Sequence, residues 1–408
     1  MSLRDSITSW AKRLATAQRN PHIAAMDINR LPGSGIVAVA RRAFATPDVE
    51  FLCFGESDQP TPHPAREAAV AALDAGFTRY PDVRGVPALR QALASYLTGL
   101  HARPVTEDRI QVTASGMAAV SIALAAILRP GDRVVVQDPI WPNIPNAVRL
   151  RGGQVETLDL VAEQDGRFRL DLDRLDAMLE GARALILNSP NNPTGWTATH
   201  DELQAILDIA RRRHVWLISD EVYSRLIYTG APAAPSLLDI AEPDDRVMIC
   251  NSFSKAWVMT GWRLGWLVLP QGASDAVVEI VEVTHSGVAP FIQQAGIAAL
   301  HDTDGVDSFR THCATGRTLA SAALDGINGI RYAAPDGAFY AFVGVEGLTD
   351  SMDLALKLVA NHRVAVAPGV AFGEPGEGFL RVCFAQSAER MERAMQRLRD
   401  GIRMEMAA

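Results

Sequence analysis

The sequence predicts an α/β protein: a large domain built on a seven-stranded, mostly parallel sheet covered by helices, joined to a smaller α+β domain. Three observations carry this. Seven short apolar runs recur between Ile110 and Pro270, helical patterns alternate with them, and the pattern changes beyond about His285. At 408 residues the chain also exceeds the size at which a single hydrophobic core keeps growing, so two units are expected.

The apolar runs are Ile110 to Thr113, Arg133 to Gln137, Gln154 to Leu158, Ala184 to Asn188, Val215 to Ser219, Arg246 to Cys250 and Leu264 to Leu269. Several are continuously apolar instead of alternating, as strands are when helices cover both faces of a parallel sheet. Met117 to Leu128 and Asp201 to Arg212 read as helices between them, the latter capped by Thr199 or Asp201. Past His285, one long helical stretch from Phe291 leads to alternating strands around Gly337 to Val343, Val364 to Ala367 and Leu380 to Phe384. The segment before Glu50 has too little periodicity to stand alone and is expected to pack on this second unit. The expected division is therefore an N-terminal arm at 1–49, a large domain at 50–285 and a small C-terminal domain at 286–408.

Composition narrows the function classes. A net charge of -8 gives no cationic surface for nucleic acid or anionic lipid, and no stretch approaches the roughly 20 apolar residues of a membrane span. The run Arg211-Arg212-Arg213 reads as the solvated end of a helix. Cys53, Cys250, Cys313 and Cys383 are scattered among apolar neighbours without CxxC spacing, and the nine histidines form no HxxxH pair. Reduced, buried thiols, no metal centre and a cytoplasmic location are the expectations. Met1 to Asn20 is amphipathic, unlike a uniformly apolar leader.

Ligands in open α/β sheets gather at the carboxyl ends of the strands, so the polar residues directly after each apolar run are the informative ones. The chain has only three lysines, Lys12, Lys255 and Lys357, and Lys255 lies in such a loop, in Ser252-Phe253-Ser254-Lys255. Arg263 follows eight residues later. A lysine that forms an imine with an aldehyde needs a partly desolvated site that lowers its pKa, and an arginine with nearby hydroxyls suits a phosphate. Alone, Ser-x-x-Lys is a weak signal.

After the run Val215 to Ser219 come Asp220 and Tyr223, a carboxylate and a phenol where the chain leaves the sheet. A carboxylate facing a pyridine nitrogen keeps it protonated; taken alone, Asp220 reads first as a helix cap. After Ala184 to Asn188 comes Asn191-Asn192-Pro193-Thr194-Gly195, a dense turn in which Asn192 precedes a proline. Arg381 sits inside the apolar strand Leu380 to Phe384, where burial without an anionic partner is costly.

Together these segments resemble the class I and II aminotransferases, the pyridoxal-phosphate superfamily typified by aspartate aminotransferase, in order and spacing over nearly the whole chain. The resemblance implies Lys255 as the Schiff-base lysine, Asp220 as partner of the pyridine nitrogen, and Asn192 and Tyr223 as donors to the ring oxygen. Ser252, Ser254 and Arg263 would bind phosphate together with Ser115, Gly116 and Met117, whose free N–H groups at a helix start suit a dianion. Trp141 matches the aromatic that stacks on the ring, with core packing as its alternative. Arg381 and Gly55 match the groups that hold the substrate α-carboxylate, with Asn192 beside them; Ser57 departs from the common proline. Tyr80 matches a tyrosine that reaches the phosphate of a neighbouring subunit, which implies a homodimer with shared sites.

The implied reaction is ping-pong transamination between an L-amino acid and a 2-oxo acid, 2-oxoglutarate being the family's default acceptor. Met117 stands where some aspartate-using relatives carry a lysine, leaving His285 and the arginines near Tyr80 as candidates for a distal carboxylate. A pyridoxal-phosphate lyase on the same scaffold is the main alternative. A regulator that keeps the fold would carry a DNA-binding module, and none precedes Arg30; a nicotinamide enzyme would carry GxGxxG after its first strand.

Overall fold

The computed structural model describes Leu31, 33–101 and 103–406. Lys12, the amphipathic stretch Met1 to Asn20 and the region before Arg30 lie outside the described residues.

Seven strands form one sheet in the order Ile110–Thr113, Gly265–Val268, Val247–Ser252, Trp216–Asp220, Ala184–Asn188, Arg133–Asp138 and Gln154–Asp159. All neighbours are parallel except Gly265–Val268, which runs antiparallel to both of its own. Alternate residues feed two cores. Val135, Leu185, Leu187, Leu217 and Ile249 pack on one face, whereas Val134, Val136, Ile186, Ile218 and Met248 pack on the other. Period-two alternation of side chains thus persists although the sequence reads as continuously apolar, because both faces are dry.

The helices follow from their ends. Gly116–Ile127 is capped by Ser115, whose hydroxyl accepts from the Ala118 N–H at 3.0 Å. Thr199, not Asp201, caps His200–Arg213 and forms a reciprocal capping box with Glu202, an arrangement that contributes about 1 kcal/mol. The three arginines close that helix, Arg211 pairing with Asp245 at 2.6 Å and Arg213 with Asp176 at 2.8 Å.

The second unit differs from expectation in two places. The helical stretch beyond Phe291 is two helices, Pro290–His301 and Thr303–Leu324. Asp302 leaves helical geometry between them, and its carboxylate caps the second at the Gly305 N–H. The strand expected from Val364 to Ala367 is two short pieces with different partners. Val364–Ala365 pairs in parallel with Glu50–Phe51, and Ala367–Pro368 joins a four-stranded antiparallel sheet with Phe379–Cys383, Tyr340–Val345 and Ile330–Arg331. The helix Gly35–Phe44 contributes Ile36, Val39, Ala40 and Ala43 to the core of this unit, alongside Leu354, Leu358 and Phe342. Cys53, Cys250, Cys313 and Cys383 are buried and free. Among the described residues no helix is long and apolar enough to cross a membrane.

Candidate active site

Register places the polar strand ends side by side. Asn188 pairs with Asp220, Asp220 with Cys250, and Ser252 with Gly265, so the carboxyl ends of three parallel strands and the turn after them share one edge. Over that edge lies a cavity of about 430 Å³. It is lined by Gly55, Gly116, Met117, Trp141, Asn192, Asp220, Tyr223, Ser252, Ser254, Lys255, Arg263 and Arg381, twelve of the residues singled out in the sequence. The strand Phe379–Cys383 and the loop at Gly55 supply one wall, and the seven-stranded sheet supplies the floor.

Lys255 follows the last of these strands, and its Nζ donates to the Gly55 carbonyl at 2.7 Å. The ammonium lies 5.7 Å from the Tyr223 ring and 5.6 Å from that of Phe339. Burial pushes its pKa down to about 8; Arg381 works in the same direction and Cys383 against it. Asp220 is also buried, and loss of water raises its carboxyl to about 7, opposed by the Val222 N–H and by Lys255. Asp220 Oδ1 has no hydrogen-bond partner among the described residues. A buried acceptor left open beside a cavity can take a donor there, and such a group ordinarily costs roughly 1–3 kcal/mol if nothing pairs with it.

Arg381 is fully buried, and neutral groups hold it instead of an anion. Nη1 donates to Asn192 Oδ1 at 3.0 Å and Nη2 to the Cys53 carbonyl at 2.6 Å. The guanidinium lies 4.4 Å over the Tyr340 ring and 4.7 Å from that of Phe372, while Nε lacks a partner among the described residues. The Asn192–Pro193 peptide is cis, and the Asn192 side chain meets Arg381 at the pocket wall.

At the opposite end, the Ser254 N–H donates to Ser252 Oγ at 3.0 Å and the two hydroxyls lie 2.8 Å apart. Arg263 adopts left-handed geometry, with φ 55°, and its guanidinium donates to the Thr260 carbonyl. Gly116 opens the neighbouring helix, and a Cβ there would press on Val222 and Ser252, so the backbone approaches the cavity closely.

Two of the predicted residues are placed elsewhere. Ser115 stands one residue behind the lining and spends its hydroxyl on the helix cap. Tyr80 is 93% exposed and does not line this chain's cavity. His285, at the end of the helix Ser274–His285, does not line it either. Sequence reading missed Phe54, Glu56, Asn143, Asn188, Val222, Thr260 and Tyr340. Asn188 was visible as a polar end to an apolar strand, whereas Tyr340 lies within a strand that reads as core.

Comparison with known proteins places this architecture. A model of the aminotransferase class I and II family matches residues 47–398. The chain is 35% identical to an aspartate aminotransferase of Thermotoga maritima over 86% of its length and 91% of the relative's. It is 33% identical to aromatic-amino-acid aminotransferase 2 of Thermococcus litoralis, over 85% of this chain and 90% of that one. A solved aromatic aminotransferase from Pyrococcus horikoshii superposes with a TM-score of 0.83 at 32% identity, covering 91% of this chain and all of that one. With a family match over most of its length and relatives that it covers almost completely, the chain belongs to the class I and II aminotransferases, the pyridoxal-phosphate-dependent family.

Proposed function

We propose that this aminotransferase passes the amino group of an L-amino acid to a 2-oxo acid, with 2-oxoglutarate as the default acceptor, in the cavity around Lys255. The observation that carries the reading is the open Oδ1 of buried Asp220 in the same cavity as a lysine whose pKa burial lowers to about 8. A base and a carboxylate with separately shifted pKa values, both left with unspent capacity, are the pair that proton transfer at carbon requires.

The donor set fits pyridoxal phosphate. A hydrogen-bonding gap at Asp220 Oδ1 suits a protonated ring nitrogen. Gly116, Ser252, Ser254 and Arg263 offer a helix start, two hydroxyls and a guanidinium to a phosphate. Ser115 would serve through its backbone, since its side chain caps the helix. Trp141, half-buried on the lining, offers a flat face to the ring, and Asn192 and Tyr223 offer donors to its oxygen. When bound, the cofactor supplies an electrophilic carbonyl carbon and an electron-withdrawing ring that weakens the bonds at the substrate Cα.

The chain's own groups do the rest. Arg381 binds the α-carboxylate with help from the Gly55 backbone, and so fixes which Cα bond faces Lys255. Lys255 Nζ takes the Cα proton and returns it on the other side of the exchange. Asp220 holds the ring nitrogen's proton. Tyr80, exposed on this chain, fits a role in the cavity of a second copy, which makes the proposed active unit a homodimer. The relatives named for aspartate and for aromatic amino acids make both classes of donor candidates.

The test is to load purified protein with pyridoxal phosphate and follow its absorbance with a panel of amino acids, then measure turnover with 2-oxoglutarate. Donor-dependent bleaching with one glutamate formed per oxo acid consumed is the expected result. Ammonia and pyruvate from a single substrate, without an acceptor, would point instead to a lyase.

A further inference from the structure

We propose that Tyr340 is a positioning residue that ties the ring-oxygen donor Tyr223 to the α-carboxylate clamp Arg381; the proposal rests on the roles just given to those two residues. Tyr340 is the first residue of the strand Tyr340–Val345 and is fully buried. Its hydroxyl lies 2.7 Å from that of Tyr223, a residue that follows the sheet of the large domain. Its ring lies 4.4 Å under the Arg381 guanidinium, which the adjacent strand Phe379–Cys383 carries. One side chain therefore touches both groups, one through its hydroxyl and one through its face.

The surroundings fix this arrangement. The Tyr223 and Tyr340 rings meet edge to face at 5.7 Å, and Phe339 packs edge-on against both. Gly55 lies so close that a Cβ would overlap the Tyr340 hydroxyl, and the Gly55 carbonyl is the acceptor for Lys255. A phenol held in this way is a preorganised donor. When Tyr223 turns its own proton toward a cofactor oxygen, its lone pair is left to accept the Tyr340 O–H. Donation from Tyr340 polarises the Tyr223 O–H and strengthens its onward bond, the cooperativity of a two-member chain in a dry site. The ring face meanwhile offers Arg381 a cation–π contact in place of the absent anion.

The two halves separate by substitution. Tyr340→Phe keeps the ring and removes the hydroxyl, so the pH midpoint of the holoenzyme's near-visible absorbance should rise by roughly 0.3–1 unit as the negative ring oxygen loses support. The dissociation constant for cofactor should rise a few-fold, while KM for the amino acid changes little. Tyr340→Leu removes the ring as well and should add an increase in KM of about 10-fold through Arg381.

Tyr223→Phe decides what a null result means. It should shift the absorbance midpoint by itself, and Tyr340→Phe added to it should shift the midpoint no further, because Tyr340 acts through Tyr223. If Tyr223→Phe moves the midpoint and Tyr340→Phe does not, Tyr340 has no positioning role and the proposal fails alone. If Tyr223→Phe moves nothing, the assignment of Tyr223 fails and takes the proposal with it. Should Tyr340→Phe not fold, Gly55→Ala displaces the same hydroxyl from the other side and must raise the midpoint in the same direction; an unchanged midpoint overturns the proposal.

Discussion

Asp220 and Glu221 leave the same strand side by side, both buried, and their surroundings differ in one respect that matters. Glu221 accepts from Ser236 Oγ at 2.7 Å and from Ser219 Oγ at 2.9 Å, with the Leu237 N–H at 3.4 Å. Asp220 faces the cavity with Oδ1 open. Burial raises the pKa of both carboxyls, so desolvation alone does not separate a working group from a structural one. Satisfaction does. The pouch behind the strand has satisfied its carboxylate with its own donors, whereas the cavity in front leaves Asp220 Oδ1 and Arg381 Nε without partners among the described residues.

The comparison is sharpest at the residues with the largest expected effects. Lys255→Ala should lower turnover by at least about 10⁴-fold, since it removes both the proposed covalent anchor and the proposed proton shuttle. The loaded protein should lose its near-visible band; retention of band and turnover would place the chemistry elsewhere. Asp220→Asn should lower kcat by roughly 10²–10³-fold, on the scale of removing one preorganised electrostatic partner. Arg381→Met should act mainly through substrate binding, raising KM for amino acid and oxo acid together and lowering kcat/KM by about 100-fold, which steady-state kinetics with both substrates would read.

Glu221→Ala supplies the contrast. It strands two hydroxyls and an amide in a dry pouch, so it should cost about 2–4 kcal/mol of stability in denaturant titrations. Holoenzyme kcat should stay within a few-fold of the parent. A large loss of kcat at unchanged stability would show that the pouch belongs to the chemistry after all.

How much of this was legible in the sequence follows from where each signal resides. The seven strands of the large sheet stand within a residue or two of the apolar runs, and six of them are buried along nearly all their length, as a strand dry on both faces has to be apolar; in the edge strand Gln154–Asp159 only Leu158 is buried. Lys255, Asp220 and Asn192 were legible because each is a polar residue directly after such a run, where open sheets expose their ligand edge. The break at Asp302 was hidden, since a capping aspartate between two amphipathic stretches does not interrupt the apolar period. The split after Ala365 was hidden because two-residue strands have no period to read. Tyr340 was hidden for a different reason: in Gly337-Ala338-Phe339-Tyr340 an aromatic opening a buried strand reads as core, and only the hydroxyl pair with Tyr223 distinguishes it. Arg381 reads in the sequence as an arginine needing an anion, and the structure holds it on neutral oxygens and two rings. A substrate carboxylate would be its first full counter-charge.

The smallest expected effect tests the open state of Asp220 without any cofactor. Burial lifts its carboxyl from an ordinary value of 3.8 to about 7, so between these limits the folded cofactor-free protein binds more protons at this site than the unfolded chain. Its contribution to stability is therefore fully present below about pH 4 and is lost as pH rises through about 7. Asp138, also raised to about 7 by burial, and Glu221 push the whole protein in the same direction, so only a difference isolates the site. Asp220→Asn cannot titrate. Measured by urea denaturation at one fixed protein concentration, the parent should lose about 1–4 kcal/mol more than Asp220→Asn on going from pH 5 to pH 8. A difference of the opposite sign would mean that the native protein already holds Asp220 as a satisfied carboxylate. The contrast with Glu221 would then disappear, and with it the reason for assigning the ring nitrogen to Asp220.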